Sequence, residues 1–148
     1  AIFEAGKQLK TDLQPGIFCQ GSEDSLRQVA AILLDNALKN AWEGTAVTVL
    51  LRQERGRAVL TVSNLGREIP AEDRERIFER FYRSDKSRDR QTGGFGLGLA
   101  IAKSIVEQHR GSISVSCTPR PHPQQETGSG NLASVSFEVS LPSLPSHG

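Results

Sequence analysis

The β-rich runs of this chain come in adjacent pairs, and that pairing limits the folds open to it more than any single residue does. Val47 to Gln53 and Ala58 to Asn64 are separated by the turn-like Glu54-Arg55-Gly56, which predicts a hairpin. Ser112 to Cys117 and Ala133 to Leu141 read as a second pair of strands. A Pro-, Gln- and Gly-rich stretch from Thr118 to Asn131 joins them and is expected to be disordered, as is the tail from Pro142 to Gly148. Near the start, Leu9 to Cys19 alternates weakly around Pro15-Gly16, which suggests two short extended pieces about a turn. Paired strands of this kind, interleaved with helices, predict an antiparallel or mixed sheet with helices on one face, an α/β two-layer sandwich.

Two amphipathic helices supply the second layer. Ser22 offers an N-cap, Glu23 and Asp24 suit the positive end of the helix dipole, and the helix is predicted to run to about Ala41. Leu26, Val29, Ala30, Leu33, Ala37 and Ala41 fall at i, i+3, i+4 spacing and form its core face. The second helix follows a glycine run, with Leu97, Ile101 and Ile105 in one stripe beside Ala102 and Val106, and Arg110-Gly111 reads as its C-terminal stop. Between the two, Pro70 opens a short charged helical stretch through Arg76, with Ile77, Phe78, Phe81 and Tyr82 behind it. At least one of these aromatics is expected in the core. Arg83 to Thr92 is almost wholly charged or polar and reads as a mobile loop.

The length of 148 residues predicts one domain, 1–148, able to bury most of the surface its unfolded form would expose. A formal charge of +1 gives no global field to attract nucleic acid or an anionic membrane surface. No apolar run approaches the roughly 20 residues a membrane span requires. Cys19 and Cys117 lie far apart without metal-ligand spacing, and are expected to be buried or half-buried free thiols in a reducing compartment. The sequence contains no methionine, which we read as the mark of an excised domain or a processed product.

Four polar features do not follow from packing alone. Gly93-Gly94-Phe95-Gly96-Leu97-Gly98 leads into the second helix, whose free amides and dipole attract anions. It matches neither a dinucleotide fingerprint, since no strand precedes it, nor a P-loop, and by itself it fits a structural turn equally well. On the first helix Asn36 and Lys39 share one flank of the core face, with Ile32 and Asn40 a turn before and after Asn36. An Asn carboxamide oxygen can ligate Mg²⁺ and a neighbouring lysine can neutralise phosphate, although the same flank could be an ordinary solvated edge. Asn64 ends an apolar strand just before Gly66, as at a ligand-lining loop or a plain turn. From Arg80 to Arg90 five basic residues face two acids, a local +3 that suits a polyphosphate or a solvated loop.

The order of these segments closely resembles the catalytic, ATP-binding domain of bacterial sensor histidine kinases, a branch of the GHKL superfamily. Leu33-Leu34-Asp35-Asn36-Ala37-Leu38-Lys39 looks like the N box, and Val62 to Pro70 like the G1 box. Ile77 to Arg83 looks like the F box and Gly94 to Leu99 like the G2 box. Four boxes in order across essentially the whole chain are far more specific than any one. The resemblance implies a Bergerat fold with a mixed sheet packed on about three helices, and ATP held between the N-box helix and a lid from Arg83 to Phe95.

Carried over by position, Asn36 would ligate Mg²⁺, Lys39 and Arg83 would approach the phosphates, and these three would be the catalytic set. Asn64 would accept from the adenine amino group. Gly94, Gly96 and Gly98 would form the lid hinge and phosphate contacts, with Asn40, Gly66, Ile69, Leu97 and Leu99 completing the nucleotide site. The reaction implied moves the γ-phosphoryl of ATP to a histidine on a separate helical hairpin, against which Phe81 would dock, and from there a response regulator is served. The full-length protein would be a homodimer with this part cytoplasmic, in a sensor anchored to the membrane, and the fragment alone a monomer. His109, His122 and His147 do not resemble the acceptor box, so the fragment alone is not expected to autophosphorylate.

Three positions depart from the family pattern: Asn64 stands at the usual aspartate, Glu68 at the second glycine of the G1 box, and Ile32 where hydrolysing relatives carry a glutamate base. Isoleucine neither ligates metal nor activates water, which argues against an ATPase. Two other readings fit the same boxes: a nucleotide-binding regulatory module without kinase activity, and an anti-sigma serine kinase of the same superfamily.

Overall fold

A computed structural model of the protein describes residues 8–80, 82, 97–120 and 132–144. The described elements are β1 (Gln8–Leu13), α1 (Glu23–Asn40), β2 (Ala46–Glu54), β3 (Arg57–Arg67), 3-10 turns at Ala71–Asp73 and Arg76–Phe78, α2 (Gly98–Gln108), β4 (Ser112–Pro119) and β5 (Leu132–Pro142). The strands form one sheet in the order β1-β2-β3-β5-β4. β1 and β2 run parallel, with α1 as the crossover such a pair requires. Every other neighbouring pair is antiparallel, so the sheet is mixed.

Local chemistry explains most of these elements. The β2–β3 hairpin turns on Arg55 and Gly56, both in the left-handed region (φ 50° and 77°), which is the two-residue turn whose twist matches paired strands. Ser22 caps α1 as expected, its hydroxyl accepting from the Ser25 amide at 3.2 Å. Pro70 does not open a helix with regular α hydrogen bonding. The stretch behind it breaks into two single 3-10 turns, because the Glu75 to Glu79 segment bends to bring Phe78 into the core. The extended piece expected after Pro15-Gly16 is not a strand, and β4 runs two residues further than expected, to Pro119.

One face of the sheet carries the core. In β5, Ala133, Val135, Phe137 and Val139 are buried, while Ser134, Ser136, Glu138 and Ser140 point the other way. The opposite face is polar, with the Ser63 and Ser136 hydroxyls 2.8 Å apart across β3 and β5. Val29, Leu33 and Ala37 of α1 and Ala102, Ile105 and Val106 of α2 close over the apolar face. Phe78 meets Phe137 edge-on, with ring centroids 6.0 Å apart, which makes it the core aromatic of its cluster. The helical layer is thus two long helices plus the 3-10 turns beside them. The lid from Arg83 to Phe95, residue Phe81, most of the loop from Thr118 to Asn131 and the last residues of the tail lie outside the described residues.

The two helices are tied at both ends of α2. Where α2 begins, Gly98 packs against Ile32 near the middle of α1, an added Cβ making ordinary contact at 3.5 Å from its Cγ2. Where α2 ends, His109 Nε2 accepts from the Ser22 amide at 3.2 Å, while Nδ1 faces the Ile105 carbonyl at 2.8 Å. Arg110 takes the left-handed position of the stop (φ 62°), and the Gly111 amide closes back on the Val106 carbonyl at 2.9 Å. Gly111 itself is needed for proximity: a Cβ there would lie 2.4 Å from the Ser140 carbonyl oxygen.

Candidate functional site at the junction of α1, β3 and α2

The last two turns of α1 meet the end of β3, and the start of α2 packs on Ile32, one turn before Asn36. The closest approach is at Gly66, where an added Cβ would meet the Asn40 carbonyl oxygen at 2.6 Å and Asn64 Nδ2 at 2.9 Å. The Trp42 amide also donates to the Leu65 carbonyl at 3.0 Å. The end of α1 is therefore fastened to the end of β3, and the N-box and G1-box residues share one corner.

Asn64 sits on the floor of that corner. It is 3 % exposed, the one buried polar residue among those described, and its Nδ2 has no hydrogen-bond partner there. Leaving such a donor unpaired costs about 1–3 kcal/mol, a penalty native cores rarely carry without a reason. Asn36 is half-buried one turn before the end of α1. Its backbone carbonyl and Oδ1 both accept from Asn40 Nδ2, at 2.7 and 3.3 Å, which orients the carboxamide and leaves Oδ1 a second lone pair. Lys39 is exposed and pairs with Asp35 at 3.0 Å. A surface i, i+4 pair of this kind contributes only about 0.3–0.5 kcal/mol, so Lys39 can exchange it for a phosphate.

The loop after β3 is held by Arg74. Its Nη2 pairs with Glu68 at 3.3 Å and its Nε donates to the Ile69 carbonyl at 3.0 Å. Glu68 thereby replaces a glycine without adopting the left-handed region, and the turn is fixed by an ion pair instead. Cys117 on β4 approaches the same Ile69 carbonyl at 3.9 Å. Both cysteines are free and half-exposed, and burial pushes the Cys19 thiol up from its ordinary value, so it resists ionisation.

At the start of α2, Leu97 makes no side-chain cap and the first turn carries no acid. The leading amides of an uncapped helix are anion donors. Ile32, beside Gly98, keeps the adjoining wall apolar. The structure brings Asn36, Asn40, Asn64 and Gly66 together, with Gly98 at the start of α2 against Ile32 one turn before Asn36; Lys39 pairs with Asp35, and the Ile69 carbonyl faces Arg74 and Cys117. Arg83, Gly94 and Gly96 lie outside the described residues. The motifs did not reveal Arg74, whose spacing from Glu68 is the only sequence signal it leaves. Among the described residues no group of three or more His, Cys, Asp or Glu could hold a metal ion, and no helix is long and apolar enough to cross a membrane.

Residues 21–143 match the family described as histidine kinase-, DNA gyrase B- and HSP90-like ATPases, and the chain belongs to that family. Within it, the similarity is to sensor histidine kinases. The sensor histidine kinase RppB of Synechocystis sp. is 37 % identical over 135 residues, covering 90 % of this chain and 27 % of RppB. The mycobacterial sensor histidine kinase MprB superposes with a TM-score of 0.79 at 30 % identity, covering 95 % of this chain and 86 % of that one. ShkA, in a full-length structure in complex with AMPPNP, shares the fold with a TM-score of 0.76 at 24 % identity, over 98 % of this chain and 27 % of ShkA. The chain spans about a quarter of RppB's length. Fold, boxes and relatives define an ATP-binding catalytic domain of the sensor histidine kinase type.

Proposed function

We propose that this domain binds Mg-ATP in the corner between α1, the end of β3 and the start of α2, and passes the γ-phosphoryl group to a histidine on a helical hairpin outside this chain. The observation that carries the reading is the buried Asn64 carboxamide, its Nδ2 unpaired among the described residues and beside Gly66, where the end of α1 also approaches. A buried polar group of this kind fits the edge of a purine base, and the neighbouring polar groups fit its phosphates. Asn36 Oδ1 would hold the metal, with phosphate oxygens completing a shell in which Mg²⁺ takes few protein ligands. Bound there, Mg²⁺ supplies charge neutralisation on the phosphates. Lys39 and Arg83 would add cations, and the amides at Gly94, Gly96, Leu97, Gly98 and Leu99 would add hydrogen-bond donors. Asn40 would orient Asn36, and Gly66 and Ile69 would line the base.

Phosphoryl transfer of this type needs positioning and charge neutralisation more than covalent chemistry from the protein. That requirement accords with a site that offers carboxamides, cations and helix amides. Ile32 favours transfer over hydrolysis, since the wall it forms offers no base to water. An open groove of about 630 Å³ between the Arg76–Phe78 turn and α2, lined by Phe78, Glu79, Lys103, Ser104 and Glu107, would receive the hairpin. A response regulator would then take the phosphoryl group from the hairpin's histidine. The test is calorimetric titration of this chain with ATP, with and without Mg²⁺, followed by mixing with the hairpin. Magnesium-dependent binding and an acid-labile phosphohistidine on the hairpin are expected. Binding without phosphohistidine would favour the regulatory module, and no binding at millimolar ATP would overturn the site.

A further inference from the structure

The polar group buried at the base end of the site is a carboxamide, and this changes what the site can read. A carboxylate at position 64 could only accept hydrogen bonds, so it would favour a purine with an amino group at position 6 and repel one with an oxygen there. Asn64 carries one acceptor and two donors on the same planar group. Its Oδ1 matches the 6-amino group of adenine while Nδ2 faces ring N1. Turned over about its last torsion, Nδ2 matches the 6-oxo group of hypoxanthine or guanine while Oδ1 faces the N1 proton. The turn breaks no hydrogen bond of Nδ2, because among the described residues that atom has none. The backbone on one side of it is Gly66, which contributes no side chain to fix the amide in one sense.

We propose that Asn64 makes the base pocket permissive at the purine 6-position, so that 6-oxopurine nucleoside triphosphates bind comparably to ATP. The inference rests on the nucleotide site proposed above. Asn64 acts here as a specificity residue: its buried donor is satisfied by the oxygen of a 6-oxopurine, and its acceptor by the amino group of a 6-aminopurine.

The probe is ITP, which differs from ATP in the base only at the 6-substituent and the N1 proton. Calorimetry of the purified chain with Mg-ATP and with Mg-ITP reads the ratio of the two dissociation constants. A ratio within about fivefold is expected, whereas sites built around one hydrogen-bond pattern reject the wrong partner by far more. Preference for ATP by more than about fivefold overturns the proposal while leaving the nucleotide site intact. Failure of both nucleotides to bind overturns the site and the proposal together. Asn64→Asp supplies the converse: retained ATP binding with ITP weakened by at least about tenfold relative to the unaltered chain supports the assignment. Unchanged ITP binding in a variant that still binds ATP places the specificity elsewhere and overturns it.

Discussion

At Gly66 a hydrogen stands where any other residue would put a carbon 2.6 Å from the Asn40 carbonyl oxygen. That oxygen belongs to backbone at the end of a packed helix and cannot swing aside, so Gly66→Ala must push α1 away from β3. We expect destabilisation of about 1–3 kcal/mol, the usual range for overpacking, measured by urea unfolding, together with weaker ATP binding. Asn36 presents the opposite case. It is half-buried on the flank of α1 and its side chain takes no part in the core. Asn36→Ala is therefore expected to abolish Mg-dependent ATP binding in calorimetry while circular dichroism stays unchanged. Unaltered affinity would remove Asn36 from the site. Glu68 shows why single-residue reading has limits. In the sequence it is a departure from a glycine, but in the fold it is one end of an ion pair with Arg74 that steadies the Ile69 carbonyl.

Among the elements, α1 was legible almost to the residue. A capping serine, two acids in the first turn and an unbroken 3.6-residue apolar stripe all agree, and local terms that agree leave little for distant contacts to change. Ser22 also donates its backbone amide to His109, so one residue ends two devices. Ser22→Ala is expected to cost about 1 kcal/mol in thermal or chemical unfolding, because it removes the cap and leaves the histidine contact. His109→Ala removes that contact and the one its Nδ1 makes with the Ile105 carbonyl but leaves the Ser22 cap, so a double-mutant cycle of the two should be close to additive. The stretch after Pro70 was less legible. Its dense charges resemble a helix surface, yet Phe78 must reach Phe137, and that anchor dictates two short 3-10 turns. Arg110-Gly111 was recognised as a stop, but the roles were divided in a way no pattern announces. Arg110 bears the left-handed angle, and Gly111 bears the close contact with Ser140.

For the whole molecule, stability rests on one apolar layer. Phe137 is fully buried at its centre, against Phe78 and among residues of both helices. Phe137→Ala should cost about 3–5 kcal/mol by urea unfolding, enough to unfold a marginally stable domain at 37 °C. The hairpin, the two long helices and the single-faced sheet could be read from periodicity and turn chemistry, since these are decided within a few residues along the chain, although Ala30 and Ile101, assigned to the apolar faces, are exposed. Polar groups within the four boxes also stand out, because packing alone would not place them there, but the boxes themselves are legible only through the resemblance to sensor histidine kinases. Three things could not be read that way: the insertion of β5 between β3 and β4, the parallel pairing of β1 with β2, and the meeting of Asn40, Asn64 and Gly66 in one corner. Each depends on contacts between segments far apart in the chain, whose free energy exists only once the layers have packed. The Nδ2 of Asn64, unpaired among the described residues, belongs with them, since an asparagine becomes an unsatisfied donor only when the fold has closed over it.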